Sequence, residues 1–464
     1  MRDLKELKKE IMVLGIPILI EQILITTMGM VNTMLSSNLG GEEGINVVSA
    51  ISMIDSFSYL FISVFSALAI GGTVVVAQYK GREDHQKANE AAKQGVVSAA
   101  LISCAITLLL LVFNSPLIRL VYQNVEPIVM DYGIKYFAIV LLSFPFMAIT
   151  LISNGVLRGA GDTKTAAISN VIGNLFNIVL TYLFLYVFNW GIIGAGLGIS
   201  LARMIGAAYV IWILLRGKAA LQLTQLHQYR PNMNFLKQIF YVGVPAGVES
   251  IIFHLGKLLT QVFIGGMGAI AMSSNSIANS IINLINIPGN ALSTVSTTIV
   301  GQEIGKGKLD EARKGLQYIT RFAVVCLVLL GALSIPTAWY FVGLYTDNAD
   351  VLDYATKLIQ LNALATPIWA FSFVLPGGLK GAGDGKYTMK TAIIGMWVFR
   401  VGLGYLLGVT LKWGVYGIFI AMFVDWAVRG TLYSIRLYGD KWLNHRFTDD
   451  DDEELKIQVA KKTI

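Results

Sequence analysis

Apolar stretches long enough to cross a membrane follow one another along almost the whole chain, from Ile11 to Tyr438. A helical span needs about 20 mostly apolar residues, so little room is left for a separate water-soluble domain. Charged residues make up 14% of the sequence, against roughly 25% in soluble globular proteins. We therefore predict an all-α membrane protein with spans at 11–37, 45–77, 92–113, 134–157, 164–188, 192–216, 238–264, 270–300, 316–340, 354–379, 387–410 and 413–438.

Basic residues lie in alternate loops between these twelve predicted transmembrane helices. They are Arg2, Lys5, Lys8, Lys9, Lys80, Arg82, Lys87, Arg158, Lys164, Arg216, Lys218, Lys306, Lys308, Arg313, Lys380 and Lys386. By the positive-inside rule, we expect a multi-pass protein of the inner cell membrane with both termini in the cytoplasm. The net charge of +7 then reflects topology, and we expect no nucleic-acid partner.

Local motifs recur in the same order after an offset of 222 to 228 residues. The matches include Gly15–Pro17 with Gly243–Pro245, Glu21 with Glu249, Gln78 and Gly81 with Gln302 and Gly305, and Arg158–Lys164 with Lys380–Lys386. Six spans per half is an even number, so both halves enter the membrane from the same side, as parallel repeats with the substrate path between them. We expect two pseudo-symmetric six-helix bundles: an N-lobe over 1–216, a cytoplasmic linker over 217–237, a C-lobe over 238–438 and a charged cytoplasmic tail over 439–464.

The tract GIPILIEQILITTMGMVNTMLSSNLG, from Gly15 to Gly40, resembles the first helix of the multidrug and toxic compound extrusion (MATE) family. It is most similar to the DinF-like branch. Further similar tracts are VLRGAGDTK, SNVIGNLFNIVLTYLF, WVFRVGLGYLLG and DWAVRG. The resemblance implies the MATE fold of the MOP superfamily and a secondary active antiporter. Such a protein expels amphipathic, often cationic organic compounds by alternating access between two lobes, in exchange for H⁺ or Na⁺. The expected partners are a small-molecule substrate, the coupling cation and membrane lipid, and we expect a monomer.

This sequence departs from the family pattern at two positions that are usually acidic in related sequences. Asn32 stands at the helix 1 position and Thr181 at the helix 5 position, four residues after Asn177. An amide or a hydroxyl forms hydrogen bonds but does not carry a proton as a carboxylate does. We expect Asn32, Asn177 and Thr181 to line the cavity, while ion coupling sits elsewhere or uses another chemistry.

Four ionisable residues inside the spans are candidates for ion coupling, because such residues are costly in a membrane and often functional. Glu21 and Glu249 each follow a helix proline by one turn; the alternative is that they hydrogen-bond across the two lobes. Asp55 corresponds to Asn279 in the repeat, and a lone carboxylate could carry a proton or Na⁺ or be a satisfied structural acid. His254 is a candidate because histidine is the side chain type that changes charge near neutral pH, and the alternative is that it is a packing residue.

A second group of residues is predicted to line the cavity or bind substrate. Asn275, Asn279 and Asn283 recur at helical spacing, which predicts one amide face that lines water or joins helices. Arg400, Asp425 and Arg429 are expected to form an intramembrane charged group that fixes the lobe or breaks during transport, with Asp425 and Arg429 on one helix face. Lys257 would repel a cationic drug, so an anionic or zwitterionic substrate remains an alternative.

Two other functions fit parts of the pattern. A lipid-linked or oligosaccharide flippase or exporter would need basic residues in its cavity, for which Lys257 and Arg400 are the central candidates. An intramembrane transferase or hydrolase would need a cluster of acid, base or metal-binding residues, and the sequence shows none. We expect no catalytic residue, cofactor or metal site. Asp162 and Asp384 are expected to cap the helices that follow them.

Overall fold

The structure is a computed structural model that describes residues 4–37, 41–122, 125–224, 229–445 and 447. The side chains of residues 4, 29, 30, 32–34, 36, 37 and 41–45 lie outside this description, as does the acidic part of the predicted tail. All regular secondary structure in the described residues is helical. This confirms the expected all-α membrane fold.

Ten of the described helices are long and apolar enough to cross a membrane. A further pair, Pro127–Leu141 and Phe144–Gly159, is bent by 51° and adds an eleventh span. The predicted span over 270–300 is divided at Asn286 into two helices, with Pro288 in the first turn of the second. Because proline lacks a backbone donor and clashes with the preceding turn, the helix is interrupted there. We predicted twelve spans and the described residues give eleven. The missing one is this divided span.

The chain forms two compact units. The N-unit comprises Ile16–Val76 and His85–Gly243, and the C-unit comprises Met1–Gly15, Ala77–Asp84 and Val244–Ile464. Three of the four borders between these segments thus fall inside helices, and the border between Asp84 and His85 lies between two helices.

The helices are named in chain order. The first eight are α1 (Leu4–Ser37), α2 (Gly41–Gly81), α3 (His85–Val112), α4 (Asn114–Val121), α5 (Pro127–Leu141), α6 (Phe144–Gly159), α7 (Thr163–Tyr182) and α8 (Gly191–Arg216). The others are α9 (Met233–Gly265), α10 (Ala269–Ile285), α11 (Ile287–Gly305), α12 (Leu309–Gly343), α13 (Ala349–Phe373), α14 (Leu375–Gly381), α15 (Gly385–Ile394) and α16 (Gly414–Tyr438). Three π-helical segments, Leu183–Val187, Gly395–Leu403 and Tyr405–Thr410, and a short 3₁₀ turn, Lys441–Asn444, complete the described elements.

The two aspartates of the repeated glycine motif have different roles. Asp162 caps α7, because its carboxylate accepts a hydrogen bond from the Thr165 amide at 3.0 Å. Asp384 does not cap α15. Its carboxylate instead lies 2.7 Å from the Arg436 guanidinium and 3.5 Å from the His445 ring. The expectation for Asp384 was wrong, since its two carboxylate oxygens face Arg436 of α16 and His445, and neither accepts a hydrogen bond from the α15 amides.

Repeated glycines allow α2 and α11 to approach closely within the C-unit. A Cβ atom on Gly81 would lie 2.0 Å from the Gln302 carbonyl oxygen, and one on Gly305 would lie 2.1 Å from that of Gln78. The sequence repeat had matched these two glutamine–glycine pairs, and the structure brings them into mutual contact. Any larger residue at either glycine would separate the two helix ends.

Candidate functional site

Glu21 in α1 is held by residues of the N-unit. The Arg158 guanidinium, at the end of α6, lies 2.5 Å from its Oε1 atom. The Asn170 side-chain amide, in α7, donates to the same oxygen. Glu21 is 1% exposed, so this ion pair ties three helices together in a buried position.

Glu249 in α9 has an equivalent arrangement in the C-unit. Its Oε1 atom lies 2.8 Å from the Lys380 ammonium, which belongs to the second glycine motif. The Thr388 hydroxyl donates to its other oxygen at 3.2 Å. The described partners of both glutamates thus lie in the same unit as the glutamate, not in the other lobe as the structural alternative predicted. The sequence repeat matched the two glutamates with each other and the two cations with each other. It gave no signal that each glutamate pairs with the cation of its own unit.

Asp55 lies half-buried in α2 of the N-unit. Its carboxylate interacts electrostatically with Arg203 in α8 and Tyr136 in α5. Among the residues that the structure describes, Asp55 forms no direct ion pair. Arg203 instead donates a hydrogen bond of 2.9 Å to the Ser143 hydroxyl, at the bend between α5 and α6. Sequence reasoning missed Arg203 and Tyr136, because no spacing in the sequence relates either residue to Asp55.

The residues at the two departures from the family pattern have different surroundings. The Thr181 hydroxyl donates to the Asn177 side-chain oxygen at 3.0 Å. Thr181 is buried, and a Cβ atom on Gly198 of α8 would lie 2.7 Å from its hydroxyl. This pair therefore packs against the backbone of α8. Asn32 lies in α1, but its side chain is outside the described residues. The cavity roles of all three remain predictions.

His254 in α9 makes a contact within its own helix. Its Nδ1 atom lies 2.7 Å from the Ser250 carbonyl oxygen, and its ring meets the Phe253 ring edge to face with centroids 6.2 Å apart. A hydrogen bond to the preceding turn and an aromatic contact are typical of a packing residue. Its role in coupling remains a prediction.

A cavity of about 210 Å³ lies inside the C-unit. Amides form much of its wall, and they come from α9, α10, the break after α10, and α11: Gln261, Asn275, Asn279, Asn283, Asn286 and Asn290. Asn279 donates to both the backbone and the side-chain oxygen of Asn275, each at 2.8 Å. The helical spacing predicted one amide face, and the structure places that face along the cavity.

Both predicted basic residues line the same cavity, together with aromatic rings that sequence reasoning missed. Lys257 comes from α9 and Arg400 from the π-helical segment Gly395–Leu403. The rings come from α9, α13 and α16 and belong to Phe253, Trp369, Phe373, Phe419 and Trp426. The sequence shows these rings only as aromatic residues on apolar helices. Lipid-facing positions have the same appearance, so the sequence did not identify the rings as cavity residues.

Behind Arg400 lies Asp425 of α16, which is fully buried. The Arg400 Nε atom is 3.1 Å from one carboxylate oxygen, and the Arg429 Nε atom is 2.8 Å from the other. The expected group of Arg400, Asp425 and Arg429 therefore assembles. One carboxylate serves two guanidinium groups, so the group carries a net charge of +1.

The described residues thus provide three features expected of a membrane carrier. They are ion pairs within each unit, the half-buried carboxylate of Asp55, and a polar cavity between helices of the C-unit. The MatE family model matches residues 17–183 and 245–406, which is more than half of the chain. The two matched ranges correspond to the two copies of the repeat.

Related proteins extend over nearly the full length. The chain is 26% identical to the uncharacterized transporter YisQ of Bacillus subtilis, over 92% of this chain and 93% of that protein. It is 23% identical to the probable multidrug resistance protein NorM of Thermotoga maritima, over 95% and 94% of the two chains. The predicted DinF-like branch stays a prediction.

The fold is similar to a solved structure described as the outward-facing conformation of a multidrug resistance MATE family transporter of the MOP superfamily. The TM-score is 0.85 at 20% identity, over 93% of this chain and 96% of that one. At this identity the likeness shows the fold. Together with the two matched repeats, it shows that the chain belongs to the MatE family of membrane transporters, which are not enzymes.

Proposed function

We propose that this protein is a secondary active efflux transporter that exports amphipathic organic compounds in exchange for H⁺ or Na⁺. Alternating access between the two lobes is the proposed mechanism. The name of the NorM relative refers to multidrug resistance, which supports organic compounds as substrates. We further propose that it is a monomer of the inner cell membrane. The distribution of Lys and Arg supports placing both termini in the cytoplasm.

The observation that carries the coupling proposal is the state of Asp55. A half-buried carboxylate inside a span, with no direct ion pair among the described residues, can take up a proton or a cation at modest cost. Arg203 is close enough to interact with it, yet hydrogen-bonds Ser143. Neutralising Asp55 would therefore change the balance of forces on Arg203 and on the bend between α5 and α6.

Glu21 and Glu249 fit a coupling role less well. Each carboxylate already faces a cation at hydrogen-bond distance, so protonating it would remove the negative charge that a partly buried Arg or Lys faces. We propose that these two residues stabilise their units and that Asp55 carries the coupling.

The coupling proposal is tested by Asp55→Asn in proteoliposomes. Two dansyl-labelled amphipaths are used, dansylcadaverine and dansylglycine. We expect the variant to bind whichever probe the wild type transports, but to lose transport of that probe driven by an imposed H⁺ or Na⁺ gradient. Asp131→Asn is the matched control, because Asp131 is an exposed partner of Lys135. Gradient-driven transport at the wild-type rate in Asp55→Asn would exclude Asp55 as the coupling group.

A lipid-linked or oligosaccharide flippase is the second candidate. It is favoured by one observation, that Lys257 and Arg400 line a single cavity. Scrambling of a fluorescent phosphatidylglycerol between leaflets, without any imposed ion gradient, would support this function over coupled antiport. The absence of scrambling together with gradient-driven transport would exclude it.

A further inference from the structure

We propose that the cavity of the C-unit binds the anionic group of an amphipathic substrate, a carboxylate or a phosphate, between Lys257 and Arg400. This inference rests on the proposed transport function and names the substrate class of that function. It differs from the cationic compounds that the family resemblance implies.

The first argument is the charge of the cavity. Its described lining contains two cations, Lys257 and Arg400, and no carboxylate. With Asp425 and Arg429 behind them, three cations stand against one carboxylate, which gives a net charge of +2. Arg400 acts on Lys257 as a like charge. An anion would relieve this repulsion, whereas an organic cation or Na⁺ would increase it.

The second argument is the set of hydrogen-bond donors that the protein leaves unused. Arg400 is 6% exposed, and its Nε and Nη2 atoms are buried without a hydrogen bond from the described residues. The Asp425 oxygen lies 3.1 Å from Nε, but its direction is unfavourable for a hydrogen bond. Buried polar groups without partners are uncommon in folded proteins and call for a ligand or water. A planar guanidinium suits carboxylate and phosphate oxygens.

Lys257 of α9 supplies a second, independent donor to the cavity. Among the residues that the structure describes, its ammonium forms no hydrogen bond and no ion pair. Lys257 is an exposed residue, so protein does not cover its ammonium where it lines the cavity. Inside a span a lysine is costly, and no described side chain neutralises its charge. Packing alone would be served by an apolar residue, so the position points to a ligand that carries the opposite charge.

The remainder of the lining suits the body of such a ligand. Phe253, Trp369 and Trp426 offer apolar faces, while Asn279 and Asn283 offer amides. Aromatic walls with a few convergent polar groups are typical of small-molecule sites. The Arg400 guanidinium also lies over the Phe253 ring, 5.3 Å from its centroid, which fixes the orientation of the guanidinium without neutralising it.

The test uses two probes that share a fluorophore and differ in charge, dansylglycine with a carboxylate and dansylcadaverine with an amine. Binding to the purified full-length protein is measured for wild type, Lys257→Gln and Lys257→Arg. Lys357→Gln is the matched control, since Lys357 is an exposed partner of Asp353 on α13. A separate arm measures scrambling of fluorescent phosphatidylglycerol in proteoliposomes, which distinguishes a lipid headgroup from a soluble anion.

We expect Lys257→Gln to weaken dansylglycine binding by about tenfold or more, the size expected for a lost charge-assisted hydrogen bond. Lys257→Arg and Lys357→Gln should bind as the wild type does. The same pattern in phosphatidylglycerol scrambling would assign the site to a lipid headgroup. The proposal is overturned if Lys257→Gln changes neither anionic readout, or if the wild type interacts with neither anionic probe.

Failure of this inference is separable from failure of the transport function. If dansylcadaverine moves under an imposed H⁺ or Na⁺ gradient while both anionic readouts are absent, the coupled transporter stands and the anion site is wrong. If dansylglycine binds through Lys257 but no probe moves under either gradient, the anion site stands and the coupling is wrong.

Discussion

At the scale of single residues, the main polar feature of the C-unit is one buried carboxylate that pairs with two guanidinium groups. Asp425 is fully buried, with Arg429 at 2.8 Å and Arg400 at 3.1 Å. Transfer of each charge out of water costs several kcal/mol, and ion pairing offsets this in part. A second arginine on the same carboxylate adds a charge that stability does not require. We infer that Arg400 is present for the cavity it lines.

The buried pair of Glu21 and Arg158 leads to a stability prediction. Glu21→Ala should lower the free energy of unfolding by roughly 3 kcal/mol, since it removes the buried carboxylate that the mostly buried Arg158 faces. The measurement is the Tm of the purified protein in detergent, followed by tryptophan fluorescence. Asp353→Ala, which removes an exposed partner of Lys357, should leave Tm unchanged. Equal effects of the two variants would contradict the structural role of Glu21.

Some residue contacts could be predicted from the sequence and others could not. Asp425 and Arg429 are four residues apart on one helix, so helical geometry alone places them on one face. Glu21 and Arg158 are 137 residues apart, and no local rule relates them. The environment of Asp55 was missed for the same reason, because Arg203 and Tyr136 come from helices α8 and α5.

At the scale of elements, the segment that carries Arg400 is not an ordinary α-helix. Gly395–Leu403 and Tyr405–Thr410 are π-helical, and such segments are frequently found at functional sites. A Cβ atom on Gly395 would lie 2.3 Å from the Asp425 Oδ1 atom and 2.6 Å from the Arg429 Cγ atom. The glycine therefore lets α16 bring its charged residues against the backbone of this segment.

Gly395→Ala should disturb this contact. We expect a loss of about 1–3 kcal/mol in the free energy of unfolding, the usual cost of overpacking a filled site, and weaker dansylglycine binding as Arg400 shifts. Gly404→Ala is the matched control, because its added Cβ would meet Ala421 at an ordinary 3.7 Å. Tm and dye binding of both variants check the prediction. If Gly395→Ala matches Gly404→Ala in both measurements, the close contact does not exist.

The length of the apolar stretches was enough to predict where most helices lie, because a span has a minimum length in a bilayer. Hydropathy carries no information about hydrogen-bond registers, so the π-helical segments were not predictable. The division of the eighth predicted span at Asn286 had one signal, Pro288. That signal was ambiguous, because proline is also found inside continuous helices, as with Pro17 in α1.

At the scale of the whole molecule, the two units share one framework and differ in their polar centres. Each unit ties its first helix to its glycine motif through a glutamate and a cation. The N-unit adds a half-buried carboxylate, Asp55, and the C-unit adds a cavity with Lys257 and Arg400. The repeat already matched Asp55 with the neutral Asn279, which lines that cavity. We propose that duplication supplied the framework and that divergence assigned ion coupling to one unit and substrate charge recognition to the other.

The most direct test of this account is transport by wild-type protein in proteoliposomes under imposed gradients. We expect an H⁺ or a Na⁺ gradient to drive accumulation of dansylcadaverine or dansylglycine against its concentration, and collapse of that gradient by an ionophore to abolish accumulation. If neither probe accumulates under either gradient, or if accumulation persists after the gradient is collapsed, the protein is not the cation-coupled exporter proposed.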